Sequence, residues 1–386
     1  MKKFYGSFVL LGAAILFAVA GVIAGAVRDG SSLDVPVFSG DRLVEGEDHG
    51  LLSVRYIEFM NDYLPDRFAF SYQERRSAEW IAQELASLGF SQDLITIQEF
   101  SMADATQAIM QYGPELITGL VFSNIAVQSP FYEVGQRMDA TSQNVILRLP
   151  GVSEQTIVVG AHYDGVMFPG ASDNASGVAL LLESASRMLG VDHYYTIEYV
   201  FFGAEEVGLA GSYYYISSLT HAEHENILAM VNADVLLEGD GLFFGAGYYT
   251  GGAIGVRPVT NFMNLLSINP GQNQITQAWG ELAQVINDEH EDLYLINEPY
   301  VTLVTTDHLA FMHYGHTVVT FVGLDLIDGW YNLGRGITSP FSGMLPLLHS
   351  ARDDFHYINE HFPGRMERNM RGFSLFLEEI LLANYE

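Results

Sequence analysis

Beyond the first 45 residues, apolar positions recur in two rhythms. Short apolar runs bounded by turn residues mark buried strands, and apolar residues three or four apart mark amphipathic helices. Residues 94–97, 144–149, 156–159, 196–202, 227–231 and 317–322 read as strands. Residues 77–88 read as a helix, with Ala78, Ile81, Leu85 and Leu88 on one face and Gly89 as its stop. Residues 178–189 form a second, carrying Val178, Leu181, Leu182, Ala185 and Met188 on one stripe. The last helix runs over 364–382 through Met366, Met370, Phe373, Leu377 and Ile380. Residues 236–300, rich first in Gly and then in acids, read as loops plus a helix near 276–287. Strands alternating with helices predict an α/β fold with a largely parallel sheet. The polar clusters fall just after strands, where open α/β sheets place their ligand sites.

The first 45 residues follow other rules. Lys2 and Lys3 are the only lysines of the chain, and residues 4–27 behind them carry no charge. A basic start, an apolar stretch and small residues (Ala18-Val19-Ala20 and Ala24-Gly25-Ala26) describe a secretory signal peptide. The stretch also exceeds the roughly 20 residues that span a bilayer. Residues 1–27 therefore read as a signal peptide or an N-terminal membrane anchor, and either one exports the rest. Residues 28–45 are polar and rich in Gly, Ser and Asp, which suits a linker. Residues 46–386 read as one domain, without repeat or composition shift.

Composition narrows the chemistry. With 386 residues, 49% hydrophobic and 17% charged, the chain can bury a large core and is not intrinsically disordered. It has no cysteine, which excludes a disulfide scaffold, a thiolate metal site, a Cys nucleophile and a lipoprotein anchor. Its 17 Lys+Arg against 47 Asp+Glu give a net charge of −30. Such a chain repels phosphate backbones, so no nucleic-acid partner is expected.

Five clusters could carry chemistry. They are His162-Tyr163-Asp164, the run from Pro169 to Gly177, Glu205-Glu206-Val207-Gly208-Leu209-Ala210-Gly211-Ser212, Asn232-Ala233-Asp234, and His349-Ser350-Ala351-Arg352-Asp353-Asp354. Imidazole and carboxylate donors without thiolate suit zinc, cobalt or manganese. A carboxylate bridging two ions about 3.5–4 Å apart lets them activate one water and clamp a reacting carbonyl. Taken singly, a His-x-Asp or an adjacent acid pair is unremarkable in a chain with 12 His and 47 acids. Jointly they converge: four follow apolar strands in an order that meets at one sheet edge. A Glu pair directly after Val200-Phe201-Phe202 is hard to explain as a solvated face.

Over residues 67–359 the sequence resembles the co-catalytic zinc aminopeptidases, a group that also holds glutamate carboxypeptidases and glutaminyl cyclases. The motifs that carry the resemblance are VVGAHYDG, PGASDNASG, FFGAEEVGLAGS, NAD, TTDHLAF and LHSARDD. It implies a three-layer α/β/α sandwich around a mixed, mostly parallel sheet. His162 and Asp234 would bind one zinc, Glu206 and His349 the other, and Asp173 would bridge them. Glu205 would be the general base for a water activated between the two ions, and Asp164 would orient His162. Asp353 resembles the aspartate of the family's closing His-x-x-x-Asp and would hold the His349 loop, against its alternative as a solvated acid beside Arg352. Asp307-His308 matches a family Asp-His near the site and is not expected to bind metal. The other histidines read as structural or exposed. Asn174-Ala175-Ser176 matches a glycosylation acceptor only by coincidence.

The chain departs from the family in two places. Leu348 precedes His349 where some relatives carry a Tyr that could polarise the scissile carbonyl, and His316-Thr317 replaces the usual Ile-Pro. The resemblance thus implies an aminopeptidase acting on peptides with a free N-terminus, and the N-terminal run implies that it is exported. The alternatives are a glutaminyl cyclase, a carboxypeptidase of the same fold, or a non-catalytic relative that binds peptides or partners. A carboxypeptidase for acidic side chains would need basic residues, which are scarce. Side-chain preference would be set by loops that include parts of 236–300.

Overall fold

The computed structural model describes residues 35–40, 42, 49–110, 140–166, 168–248, 271–298, 306–325 and 346–385. Its helices are α1 Leu51–Tyr63, α2 Tyr72–Leu88, α3 Met102–Met110, α4 Ser176–Met188, α5 Ala210–Ser218, α6 His221–Asn226, α7 Gln274–Glu289, α8 His308–His313, α9 Phe355–His361 and α10 Arg365–Leu382. Its strands are β1 Ile95–Ser101, β2 Thr141–Leu149, β3 Ser153–His162, β4 Tyr195–Phe202, β5 Ile227–Ala233, β6 Gly241–Gly247, β7 Leu295–Asn297 and β8 Val318–Leu324. All eight strands form one sheet in the order β1-β2-β4-β3-β5-β8-β6-β7. The central pairs β4–β3, β3–β5 and β5–β8 are parallel, while β1–β2, β2–β4 and β6–β8 are antiparallel.

Helices cover both faces, so the central strands have no solvated side and read as continuous apolar runs. Every residue of β4 and of β8 is buried. On one face Val158, Val200, Phe202 and Met230 pack against Leu209, Tyr213 and Ile216 of the α5 region and Leu309, Phe311 and Met312 of α8. On the other face lie α1, α4 and α10. Tyr199 of β4 meets Ser184 of α4 through hydroxyls 2.9 Å apart, and Phe321 of β8 stacks on Phe373 of α10 at 5.4 Å. The sheet is thus mixed and parallel at its centre, between two helical layers.

The structure extends the elements read from sequence and corrects one stretch. Helix α2 begins at Tyr72 rather than 77, because the Ser71 hydroxyl accepts from the Glu74 amide. The 236–300 segment, read as loops and one helix, also holds β6 and β7. The Gly-rich β6 has no alternating pattern because six of its seven residues are buried. Helix α1 also escaped the sequence reading, since its N-cap is Gly50, which has no side chain to cap with.

Val37–Glu386 forms one compact unit. Within the stretch read as a linker, Phe38 is buried against Tyr56 and Phe59, and Arg42 grips Glu84 with Nε 2.6 Å and NH2 2.9 Å from its two oxygens. Residues 1–34, including the apolar run 4–27, lie outside the described residues. Among those described, no helix is long and apolar enough to cross a membrane.

Candidate metal centre

Strands β3, β4 and β5 run in register, with His162 opposite Phe202 and Gly160 opposite Asn232, so their carboxyl ends finish at one edge. His162 is the last residue of β3. Asp234 directly follows β5. Glu205 and Glu206 occupy the turn between β4 and α5. Asp173 lies in the irregular turn Ala171–Ala175 that opens α4, and His349 in the segment leading to α9. The edge thereby gathers all seven residues singled out in the sequence: His162, Asp164, Asp173, Glu205, Glu206, Asp234 and His349.

Five of them form two groups that share one residue. His162 Nε2 lies 3.2 Å from Asp173 Oδ1 and 3.2 Å from Asp234 Oδ1. His349 Nε2 lies 3.1 Å from Asp173 Oδ2 and 3.2 Å from Glu206 Oε2. Each oxygen of Asp173 thus serves a different imidazole. The donor atoms of each group lie within 4.8 Å of one another, as a metal ion requires. A tetrahedral ion with bonds of about 2.0–2.2 Å sets its ligands about 3.3–3.6 Å apart, close to these separations. Hydrogen bonding alone fits less well. Each Nε2 carries at most one hydrogen yet faces two carboxylate oxygens.

The electrostatics agree. Burial would raise Asp173, but hydrogen bonds from His162 and His349 hold its carboxyl below the usual range. Burial would lower His349, but Glu206 and Asp173 push it up to about 12. Burial pushes Glu206 up to about 7, helped by the charge of Asp173. Burial also raises Glu205, reinforced by Glu206, Asp307 and Asp234. So many enclosed carboxylates around two imidazoles call for added positive charge, and two divalent cations would reverse the repulsion that raises the glutamates.

Asp164 sits fully buried behind the edge. Its Oδ1 accepts the Glu205 amide at 2.9 Å and its Oδ2 the Glu206 amide at 3.2 Å. His162 Nδ1 lies 3.2 Å from the Asp164 carbonyl oxygen, which leaves Nε2 facing the two aspartates. Asp164 therefore fixes the Glu-Glu turn as well as the imidazole. In the GLAGS run, Gly211 packs against this turn: a Cβ there would stand 2.3 Å from the Gly203 carbonyl oxygen. Ala204, Leu209, Val235 and His349 all have left-handed backbones, with φ of 56°, 60°, 48° and 52°. Each costs about 1–2 kcal/mol, and such strain gathers at functional sites.

Asp353 is not a solvated acid. It is 1% exposed, and its oxygens accept the amides of Ser172 at 2.5 Å and Asp173 at 3.0 Å, so it fixes the Asp173 turn. Asn174 is wholly buried, donating to the Ala233 carbonyl and accepting from the Gly177 amide, so it is no glycosylation acceptor. Two supports escaped the sequence reading. Buried Arg67 donates to the carbonyls of Leu64, Tyr163, Pro169 and Gly170, tying both ends of the loop between His162 and Asp173. Buried Glu238 accepts the Leu347 amide at 2.7 Å, two residues before His349. No local pattern marks either one, because their partners are remote backbone groups.

The comparisons with known proteins agree with this architecture. Residues 144–374, more than half of the chain, match the profile described as peptidase family M28. The chain belongs to that family. An alkaline phosphatase isozyme conversion protein of Escherichia coli (strain K12) is 24% identical over 80% of this chain and 83% of its own. Aminopeptidase YwaD of Bacillus subtilis (strain 168) is 41% identical over 100 residues, a stretch that spans only 22% of that relative. Among solved structures, BSAP, a zinc aminopeptidase from Bacillus subtilis, superposes with a TM-score of 0.59 at 16% identity, over 88% of this peptidase-family chain and 97% of that one. An Acidobacteriales bacterium glutaminyl cyclase reaches 0.56 at 17% identity, covering 89% and 97%.

Proposed function

We propose that this peptidase is an exported zinc aminopeptidase that removes N-terminal residues from peptides. The observation that carries the reading is Asp173, whose two carboxylate oxygens face two separate imidazoles. His162, Asp173 and Asp234 would hold one zinc ion and Asp173, Glu206 and His349 a second, with cobalt or manganese as substitutes. Bound there, the ions would supply Lewis acidity, polarising the scissile carbonyl and making a nucleophile of water near neutral pH.

The chain's own residues do the rest. Asp164 holds the His162 ring so that Nε2 faces the centre, and anchors the Glu205 and Glu206 amides. Glu206 is committed to the Asp173–His349 group, which leaves its neighbour Glu205 for proton transfer. Glu205 takes the proton of the attacking water and returns it to the leaving amine. The anionic surroundings favour a substrate with a cationic α-amino group. Export rests on Lys2, Lys3 and the uncharged run 4–27.

Glutaminyl cyclase is the second reading, because the fold accommodates both activities. Two donor groups that share Asp173 favour the peptidase, since a single-metal site would need only one of them. The test is hydrolysis of an aminoacyl-p-nitroanilide panel by the full chain, with and without chelator, beside Glu205→Gln. Release that chelator abolishes, that zinc or cobalt restores and that Glu205→Gln lacks is the expected result. Metal-loaded protein that releases nothing, yet cyclises an N-terminal glutaminyl peptide, would replace this reading with the cyclase. Protein that binds no metal and releases nothing would point to a non-catalytic binder.

A further inference from the structure

Glu74 lies in the first turn of α2, outside every motif that carries the chemistry. Its fully buried carboxylate joins three parts of the fold. Oε2 accepts the Phe70 amide at 2.5 Å, while Oε1 accepts the Ser142 hydroxyl of β2 at 2.6 Å and the Ala204 amide at 2.9 Å. Ala204 directly precedes Glu205 and is left-handed. Its neighbours are held in the same way: the Gly203 amide donates to Asn144 Oδ1 at 3.1 Å, and the Glu205 and Glu206 amides donate to Asp164. Four consecutive amides of the turn therefore each end on a buried side chain.

We propose that Glu74 is a positioning residue for this turn: by holding the Ala204 amide it fixes where Glu205 and Glu206 point. The roles of those two glutamates are those of the aminopeptidase reading, on which the inference rests. Without its acceptor, the Ala204 amide is a buried donor with no partner, at a residue whose left-handed backbone is already strained. Rotation at Ala204 relieves both penalties and swings the following carboxylates. Misplacement by about 1 Å is enough to cost a catalytic site heavily.

The test compares Glu74→Asp, Glu74→Gln and, as a control for lost stability, Glu183→Gln, all in the full chain. Asp withdraws the carboxylate from Ala204, whereas Gln keeps an oxygen that Ser142 and Ala204 can share. Cobalt titration followed by visible absorption reads the site without any reaction, and kcat and KM on an aminoacyl-p-nitroanilide read the turn. Glu74→Asp is expected to weaken one of the two cobalt-binding steps and to lower kcat, each by about 10-fold, with KM little changed. Glu74→Gln is expected to restore most of both, and Glu183→Gln to lower stability while leaving both intact. Folded Glu74→Asp with the wild-type cobalt titration and kcat would overturn the proposal. So would losses in Glu74→Gln as severe as in Glu74→Asp, or equal losses in Glu183→Gln. If Glu74→Asp does not fold, a folded Glu74→Gln that loses the cobalt step refutes the proposal and one that keeps it supports it. Wild-type protein that releases no substrate would sink the aminopeptidase reading, and the cobalt titration would still decide the role of Glu74.

Discussion

Helix α1 has no N-cap side chain of its own, and Glu183 of α4 supplies one from across the interface. The Glu183 carboxylate is fully buried and accepts five bonds. They come from the Gly50 amide (2.7 Å), the Ser53 amide (2.7 Å) and hydroxyl (2.8 Å), the Ser374 hydroxyl of α10 (2.8 Å) and Arg187 Nε (3.1 Å). One charge thus clasps α1, α4 and α10. Glu183→Gln preserves shape but removes the charge and turns one acceptor oxygen into a donor. In its better orientation the new NH2 replaces Oε2, where the Ser53 hydroxyl can turn to accept it but the Ser53 amide cannot. One orphaned buried amide costs about 1–3 kcal/mol, and an anion lost from a buried helix N-terminus costs up to about 2 more. The expected destabilisation is therefore about 2–4 kcal/mol. Urea unfolding followed by circular dichroism at 222 nm, on metal-free wild type and variant, measures it. A loss below about 1 kcal/mol, with the m-value unchanged, would refute the clasp as a stabilising element.

Other consequences follow from the same geometry. Asp353→Asn removes one of the oxygens that hold the Ser172 and Asp173 amides. Zinc affinity by isothermal titration should fall by about 10-fold or more, and an unchanged affinity would remove Asp353 from the support of Asp173. Burial lowers His313 to about 4, and burial with the charge of His224 lowers His316 to about 4. Each folded value lies below the unfolded one of about 6.5, so the unfolded chain takes up protons first and stability falls as pH drops from about 6.5 toward 4. His313→Gln should flatten that loss by about 2 kcal/mol between about pH 7 and pH 5, read by urea midpoints. The net charge of −30 makes the fold self-repelling. Raising NaCl from about 0.1 M to about 1 M, which shortens the screening length from about 10 Å to about 3 Å, should raise the urea midpoint. A fall would contradict the self-repulsion account.

The features legible in the sequence are those whose physics is local or periodic. Strands β2, β3, β4, β5 and β8 are apolar runs because both faces of the sheet are covered. The residues at the carboxyl ends of β3 and β5, His162 and Asp234, announce themselves by following such runs. The adjacent pair Glu205 and Glu206 likewise stands out by following the apolar run 200–202, while the division of roles between the two comes only from the resemblance. The hidden features depend on groups far apart in the chain. Glu74 looks like the third residue of an ordinary helix cap, which its Phe70 contact supports, but its second oxygen reaches Ala204 across 130 positions. Glu183 and Arg67 sit in unremarkable contexts and satisfy remote backbone groups. Strand β6 is obscured by its glycines, and α1 by a cap supplied from another helix.

In the proposed centre Asp173 would join two metal sites. The most direct test is a crystal structure of zinc-loaded protein with anomalous data collected at the zinc edge. Two peaks flanking Asp173 are expected, one contacting His162 and Asp234 and the other Glu206 and His349. A single peak, or a pair that does not share Asp173, would contradict it.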